Sequence, residues 1–301
     1  MQQKNSASSR ASHAWLFEQK SAFPTYIDLL AMAGIFLVAQ LVVAAIGMFV
    51  VSLKGYTPLL LPSNVQGTFV AVVSFFSLTL TIAALILYRR MRGGERVKIS
   101  LGKGKFNLLL VVWSFLLMLA LSVVMEPLYE LLPLPKQNFG TGVGAFLAVV
   151  VFAPLFEEVI CRGMVFGSLL KRHSIPVAIL LSALFFGVLH VQMVSMLNAF
   201  LMGVVLAFVY HRTQTLWTPV LLHAMNNGSA YLMERLGLGE QTLSQLLEGY
   251  PVIYSLIYGF ALVVAVASIW GMVQALKPRS VATPTTASVG ASDHENEKKT
   301  A

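Results

Sequence analysis

Two adjacent glutamates lie inside a long apolar segment of this chain. Glu157 and Glu158 occur within the run AFLAVVVFAPLFEEVICRGMVFGSLL. A charged side chain at the centre of a membrane span costs about 2.5–3.5 kcal/mol even on the mildest scale. Because adjacent carboxylates repel each other, a shared proton or a nearby cation is expected. Arg162 follows Glu158 by four residues, the spacing of an ion pair across one helical turn. Glu158 and Arg162 therefore fit a structural pair, which leaves Glu157 as the candidate for chemistry.

Two of the six histidines also lie inside apolar runs. His190 ends the run SALFFGVLH and His223 lies within TPVLLHAMNN. Each alone fits a hydrogen-bonded core histidine, but with Glu157 they place two imidazoles and a carboxylate on three separate helices. Asn227 follows His223 by four residues and shares its helix face, and Phe186 has the same spacing before His190. An interhelical or capping hydrogen bond is the alternative for Asn227.

Composition excludes most soluble protein classes. Of 301 residues, 57% are hydrophobic and only 11% are charged, whereas a soluble domain carries about 25% charged residues. The single cysteine, Cys161, excludes an intrachain disulfide and a multi-cysteine metal site. The net charge of +8 comes mainly from short connections between apolar runs. This distribution indicates membrane orientation and contact with membrane lipids, and no nucleic-acid binding.

The apolar runs predict an all-α, polytopic transmembrane bundle of about eight spans. The pair 175–191 and 193–210 fits either two short helices or one re-entrant hairpin. We assign only packing or solvent roles to the neighbouring polar residues Gln192 and Asn198. The eight runs are 26–52, 67–88, 106–129, 143–170, 175–191, 193–210, 215–234 and 251–276.

Basic residues in the connections predict the orientation of the bundle. The connection RRMRGGERVKISLGKGK, residues 89–105, should stay in the cytoplasm, and strict alternation then places both termini there.

No cleavable signal peptide is expected, and no internal repeat or phosphate-binding loop is found. The chain divides into a cytoplasmic N-terminal tail (1–25), N-terminal helices with the basic loop (26–142), a core that carries the motifs (143–236), a last loop and helix (237–276) and a disordered tail (277–301).

A helix rise of about 1.5 Å per residue places Glu157, His190 and His223 roughly 12–22 Å from the cytoplasmic face. We therefore expect the three side chains to meet in one cavity between the cytoplasmic half of the bundle and the midplane. A cavity that opens toward the cytoplasmic leaflet would suit a lipid-modified C-terminal peptide or the leader of an exported peptide.

Three short motifs occur in a fixed order in the apolar core. They are EEVICR, with Glu157, Glu158 and Arg162; FGVLH, with Phe186 and His190; and HAMNN, with His223 and Asn227. In this order and spacing, residues 143–230 resemble the type II CAAX prenyl endopeptidase and bacteriocin-processing family of intramembrane proteases, also called CPBP or Abi proteins.

The resemblance implies a helical intramembrane endopeptidase, located as a multi-pass protein in a bacterial cell membrane. Glu157 would be the essential carboxylate, and His190 would help it hold the attacking water. His223 and Asn227 would complete the site, with Glu158 and Arg162 in support. The substrate would be a peptide or protein, with or without a lipid modification. The first three spans inherit no role from the resemblance.

Two mechanisms remain open for such a site. In the first, Glu157, His190 and His223 bind Zn²⁺ and leave one open coordination position, with Glu157 or Glu158 as ligand or base. In the second, Glu157 takes a proton from water that His190 orients, while His223 and Asn227 donate hydrogen bonds to the oxyanion. The chain has no HExxH motif and an amide is a poor zinc ligand, so the sequence favours the second mechanism.

The main alternative is a membrane protein without catalysis. A proton-coupled transporter or a bacteriocin-immunity scaffold could use the same buried carboxylates and imidazoles. Many transporter folds contain a repeat of their functional half, and none is evident here. The sequence therefore favours the protease.

Overall fold

The computed structural model describes residues 23–57, 60–94, 104, 106–132, 139–239 and 241–277. This part of the chain contains ten helices and no strand, which confirms the all-α prediction. The helices are α1 (Tyr26–Leu53), α2 (Ser63–Met91), α3 (Leu108–Val124), α4 (Glu126–Tyr129), α5 (Gly142–Leu169), α6 (Ile175–Val188), α7 (Met193–Thr213), α8 (Trp217–Arg235), α9 (Leu243–Leu246) and α10 (Pro251–Ala275). The predictions for the N-terminal tail, for most of the basic loop 89–105 and for the C-terminal tail lie outside the described residues.

The long helices make this chain an integral, multi-pass membrane protein. Each of the eight predicted apolar runs contains a helix. Helices α1, α2, α5, α7 and α10 are long and apolar enough to cross a membrane, and α3 and α6 are shorter apolar helices. Large apolar side chains such as Leu41, Phe49, Phe76, Val263 and Trp270 are exposed on the outside of the bundle. Water would disfavour such a surface, whereas lipid tails solvate it.

Small residues bring the helices of the bundle close together. The buried positions of α10 include Ala261, Ala265, Ser268 and Gly271. A Cβ atom at Gly271 would overlap the indole ring of Trp113 on α3. Close contact through small residues is the usual way in which membrane helices associate, because lipid tails are as apolar as leucine side chains.

Helices α6 and α7 are two separate helices that form an antiparallel hairpin. Gly187 on α6 packs against Met196 and Phe200 near the start of α7, and Gly203 further along α7 packs against Ala183. Helix α6 has 14 residues, or a length of about 21 Å, which is less than the hydrocarbon thickness of about 30 Å. The turn between the two helices carries His190, which is partly buried.

Side-chain contacts show which helix ends lie together. At one end Arg92, after α2, is 2.7 Å from Asp28 in α1, and the Asn107 amide donates to the Ala275 carbonyl of α10 at 2.8 Å. We call this the basic end; its lysines and arginines in the described part of the chain are Arg89, Arg90, Arg92, Lys171, Arg172, Arg212 and Lys277.

The opposite end of the bundle is rich in carboxylates, and we call it the acidic end. Here the backbone N–H of Ser244 donates to Glu126 at 3.0 Å, and Tyr258 donates to the Val124 carbonyl at 3.3 Å. The charged residues of this end in the described ranges are Lys54, Glu126, Glu130, Glu234, Arg235 and Glu248.

Helices α2 and α5 touch backbone to backbone at the acidic end. The Thr141 N–H donates to the Ser63 carbonyl at 2.7 Å. A Cβ atom at Gly67 would overlap the Thr141 carbonyl oxygen, and one at Gly144 would lie 2.6 Å from the Gly67 carbonyl oxygen. This contact fixes the position of α5, which carries both glutamates.

We expect Gly67→Ala to destabilise the protein by about 1–3 kcal/mol, because the added methyl group has only backbone atoms to displace. The change is measurable as a lower unfolding temperature of the protein in detergent. Gly34→Ala is the matched control, since a Cβ atom at Gly34 meets nothing within 4 Å. Equal unfolding temperatures for the two variants would contradict the close contact between α2 and α5.

Candidate active site

The two glutamates lie on a short α-helical turn between two π-helical stretches of α5. Residues Ala153–Glu158 are α-helical, and the stretches Leu147–Phe152 and Val159–Phe166 are π-helical. Such π-helical turns are rare and occur frequently at functional sites. They change the direction in which the following side chains point, so both glutamates depend on this local geometry.

Pro154 leaves a backbone carbonyl of the first π-helical stretch without its usual donor, and α8 supplies a donor instead. The N–H of Ala153 donates to the Ala148 carbonyl, and Pro154 has no N–H to offer to the Val149 carbonyl. A buried carbonyl needs a donor. The Asn227 side-chain amide of α8 supplies it at 3.0 Å. Asn227 therefore makes the interhelical hydrogen bond that was the alternative to a catalytic role, and one of its two N–H hydrogens is used.

Glu158 is fully buried, and its carboxylate contacts the side chains of Arg162 and His223. Its Oε1 atom accepts from Arg162 Nη1 at 2.7 Å and lies 3.0 Å from His223 Nδ1. Arg162 also donates to the Gly203 carbonyl of α7 at 3.0 Å. The predicted pair of Glu158 and Arg162 is thus present, and it joins α5, α7 and α8.

The ring of Phe186 packs against three of the predicted site residues. The ring centroid lies 5.0 Å from that of His190 and 5.5 Å from that of His223, with both contacts edge to face. The guanidinium of Arg162 lies 4.9 Å from the same centroid. His190 Nδ1 is 3.0 Å from the Phe186 backbone carbonyl, which fixes the imidazole from the other side. The spacing of four residues between Phe186 and His190 therefore positions the histidine.

Glu157 points into a cavity, in contrast to Glu158. Its side chain is 14% exposed, and its Oε2 atom lies 3.8 Å from His223 Nε2. This separation is too long for a direct hydrogen bond. His190 and Asn227 line the same cavity. The structure therefore brings Glu157, His190, His223 and Asn227 to one place, with Glu158 and Arg162 behind them.

Both histidines have the orientation that metal ligands usually have. Each Nδ1 atom faces an oxygen acceptor, Glu158 for His223 and the Phe186 carbonyl for His190, which leaves Nε2 for another partner. Among the described residues, however, no three histidine, cysteine, aspartate or glutamate side chains form a group that could hold a metal ion. The zinc site of Glu157, His190 and His223 therefore stays a prediction.

The cavity also contains polar residues other than the predicted site residues. Its volume is about 510 Å³. Asn226 and Asn198 line it, although Asn198 was predicted to have only a packing or solvent role. The helices before the motifs also contribute to its wall, through Ser74 of α2, Ser122 of α3 and Tyr129 of α4. Asn226 and Asn198 can be found in the sequence because they are amides within apolar runs. Nothing in the sequence distinguishes the two serines and Tyr129 in this way.

The cavity extends from Glu157 toward the acidic end of the bundle, and its predicted opening toward the cytoplasmic leaflet stays a prediction. Beyond Glu157, its wall continues to Tyr129, Phe139, Glu234 and Gly239, all at the acidic end. The wall includes none of the described basic-end lysines and arginines. The depth of the catalytic side chains below the cytoplasmic face, counted along single helices, also stays a prediction. The direction in which the cavity extends depends on how the helices pack, and residue counts do not contain this information.

Comparisons with known proteins support the motif assignment. Residues 139–229 match the family described as type II CAAX prenyl endopeptidase Rce1-like. The protein named "Putative membrane peptidase YdiL" from Bacillus subtilis (strain 168) is 33% identical over 84 residues. This segment is 28% of the present chain and 34% of the relative, so it spans about a third of that protein. No solved structure matches the chain significantly. The resemblance to type II CAAX prenyl endopeptidases is thereby confirmed for the segment that contains all three motifs.

Proposed function

We propose that this chain is an intramembrane endopeptidase in which Glu157 activates the attacking water. The observation that carries the proposal is the contrast between two adjacent carboxylates. Glu158 is buried against Arg162 and His223, whereas Glu157 reaches the cavity beside the same histidine. Environments that separate the roles of two neighbouring acids are typical of acid–base sites. The family match and the relative named as a membrane peptidase support the assignment.

His190 is the residue that orients the water. Its Nδ1–H donates to the Phe186 carbonyl, so Nε2 carries a lone pair that accepts a hydrogen bond from water in the cavity. The Glu157 carboxylate takes the proton as the water oxygen bonds to the peptide carbonyl carbon, and the carbonyl π electrons move to its oxygen. Glu157 then gives this proton to the amide nitrogen as the C–N bond breaks.

His223 stabilises the oxyanion of this intermediate. When both ring nitrogens carry protons, Nδ1–H donates to Glu158 and Nε2–H is free to donate to the oxyanion. The Glu158 carboxylate stabilises that imidazolium, and Arg162 compensates the second negative charge. The remaining N–H of Asn227 is a further donor beside the cavity. The proposed chemistry therefore needs the three residues that line the cavity and, behind them, the buried His223 with the ion pair of Glu158 and Arg162.

Cleavage of peptides by the purified protein tests this proposal. We expect the detergent-solubilised protein to cleave members of a quenched peptide library that includes lipidated C-termini, and to keep this activity in the presence of a chelator. We expect His190→Ala to lower kcat/KM by about 10²-fold or more, within the usual range for acid–base groups.

Metal content, measured by mass spectrometry on the same preparations, decides between the two mechanisms. About one zinc per chain, with loss of activity on chelation and recovery on adding zinc, would replace the metal-free mechanism by a metalloprotease. Absence of cleavage in every preparation would contradict the endopeptidase and favour a transporter or an immunity protein.

A further inference from the structure

Tyr129 brings a hydroxyl group to the catalytic cavity from outside the segment that carries the motifs. The residue ends α4 and lines the cavity that Glu157 and His190 also line. It lies before residues 139–229, the segment that matches the family. The motif assignment therefore gives Tyr129 no role, and its place in the cavity wall is the observation that has to be explained.

The hydroxyl group of Tyr129 is buried and has no partner. The residue is only 9% exposed, and its Oη atom makes no hydrogen bond within the part of the chain that the structure describes. Such hydroxyls are rare in folded proteins, because their desolvation costs free energy that no hydrogen bond offsets. A ligand in the cavity beside the ring is a source of the missing partner.

Contacts on both sides of Tyr129 hold α4 in place. Glu126 accepts a hydrogen bond from the backbone N–H of Ser244 at 3.0 Å, and Glu130 accepts one from the Thr242 hydroxyl at 3.3 Å. Thr242 is also the N-cap of α9, so these contacts tie α4 to the start of α9. A side chain on a fixed element loses little conformational freedom when a ligand binds, which favours binding.

The chemistry of the cavity wall indicates the kind of partner. Most of its surface is apolar, with contributions from Val70, Val194 and Met202, and polar groups such as Tyr129 interrupt it. Sites of this kind bind a ligand through apolar contacts and orient it with a few hydrogen bonds. An extended peptide has a backbone carbonyl at every residue, and a carbonyl oxygen accepts a hydrogen bond from a hydroxyl.

We infer that Tyr129 binds the substrate, by donating a hydrogen bond from its hydroxyl to a backbone carbonyl that flanks the scissile bond. The inference rests on the proposed endopeptidase function, which makes the substrate a peptide. Tyr129 transfers no proton in the reaction. Its hydrogen bond fixes the register of the peptide in the cavity, so that the scissile carbonyl lies beside the water that Glu157 activates.

Peptide binding by Tyr129→Phe tests the inference, because this change removes only the hydroxyl oxygen. The Kd is measured in the Glu157→Gln background, so that the peptide stays intact, with a fluorescent peptide selected from the library for its binding to Glu157→Gln. We expect Tyr129→Phe to raise this Kd about threefold to tenfold, the usual effect of one hydrogen bond. The unfolding temperature should not fall, since the hydroxyl has no partner in the protein to lose.

Tyr258→Phe is the matched control at the same end of the bundle. The Tyr258 hydroxyl donates to the Val124 carbonyl at 3.3 Å, and the residue does not line the cavity. We expect this variant to lower the unfolding temperature and to leave the Kd unchanged. In the chain that retains Glu157, Tyr129→Phe should raise KM while kcat stays near the wild-type value, as expected when substrate and transition state lose the same interaction.

Thioamide analogues of the peptide identify the carbonyl that Tyr129 binds. Each analogue has sulfur, a weaker acceptor, in place of one backbone carbonyl oxygen. We expect one analogue to bind more weakly than the parent peptide to the chain with Tyr129, and as well as the parent peptide to Tyr129→Phe. This loss of the difference is the coupling that a direct contact requires. A difference that persists in Tyr129→Phe at every position would contradict the contact.

The outcomes separate this inference from the proposed function. An unchanged Kd for Tyr129→Phe overturns the inference, and so does the absence of peptide binding to the parent chain. An unchanged Kd together with a lower unfolding temperature would assign the hydroxyl a structural partner, such as buried water. Cleavage with a KM that Tyr129→Phe leaves unchanged contradicts only this inference. Binding that depends on Tyr129, without cleavage by the wild type, contradicts only the proposed function.

Discussion

Glu157→Gln is expected to abolish peptide cleavage while the unfolding temperature stays near that of the wild type. The glutamine side chain has the same shape but cannot accept the proton of the attacking water. Loss of a general base typically costs about 10²–10⁴ in rate. The side chain borders a cavity and lies 3.8 Å from His223 Nε2, too far for a direct hydrogen bond, so little packing depends on its charge.

The neighbouring variant Glu158→Gln is the matched control. It makes the same chemical change one residue away, but it removes the anionic acceptor that Arg162 and His223 share. We therefore expect Glu158→Gln to lower both cleavage and the unfolding temperature. The measurements are kcat/KM on a cleaved peptide and thermal unfolding in the same detergent. Wild-type turnover by Glu157→Gln would remove Glu157 from the mechanism.

The sequence predicts best those contacts that lie within one helix. The ion pair of Glu158 and Arg162, and the contact of Phe186 with His190, both follow from a spacing of four residues. Helix geometry alone places such side chains on one face, whatever surrounds the helix. The positions of the membrane helices are equally predictable, because each must present apolar side chains over most of its length.

Contacts between helices explain what the sequence could not predict. The hydrogen bond from Asn227 to Val149 depends on the π-helical stretch that ends just before Pro154, in a helix far from Asn227 in the chain. Tyr129 and Ser74 reach the cavity from helices outside the motifs, and nothing in their local sequence distinguishes them. The extension of the cavity toward the acidic end likewise depends on how several helices pack against one another.

Arg162→Met is expected to cause the largest loss of stability, about 3–5 kcal/mol. Arg162 and Glu158 are both fully buried, and removal of one partner leaves an uncompensated charge inside the bundle. The Gly203 carbonyl of α7 loses its donor in the same variant. The free energy of unfolding, measured by denaturant titration in mixed micelles, gives this cost. Arg212→Met, at an exposed arginine of α7, should stay within about 0.5 kcal/mol of the wild type.

The double variant Glu158→Gln with Arg162→Met separates stability from catalysis. It removes both charges of the pair, so we expect it to recover part of the stability that Arg162→Met loses. Cleavage should stay low in the double variant, because His223 no longer has a carboxylate to stabilise its protonated ring. A double variant no more stable than Arg162→Met would show that the two charges do not compensate each other. Full recovery of cleavage would show that His223 acts without Glu158, because the pair would then only hold α5, α7 and α8 together.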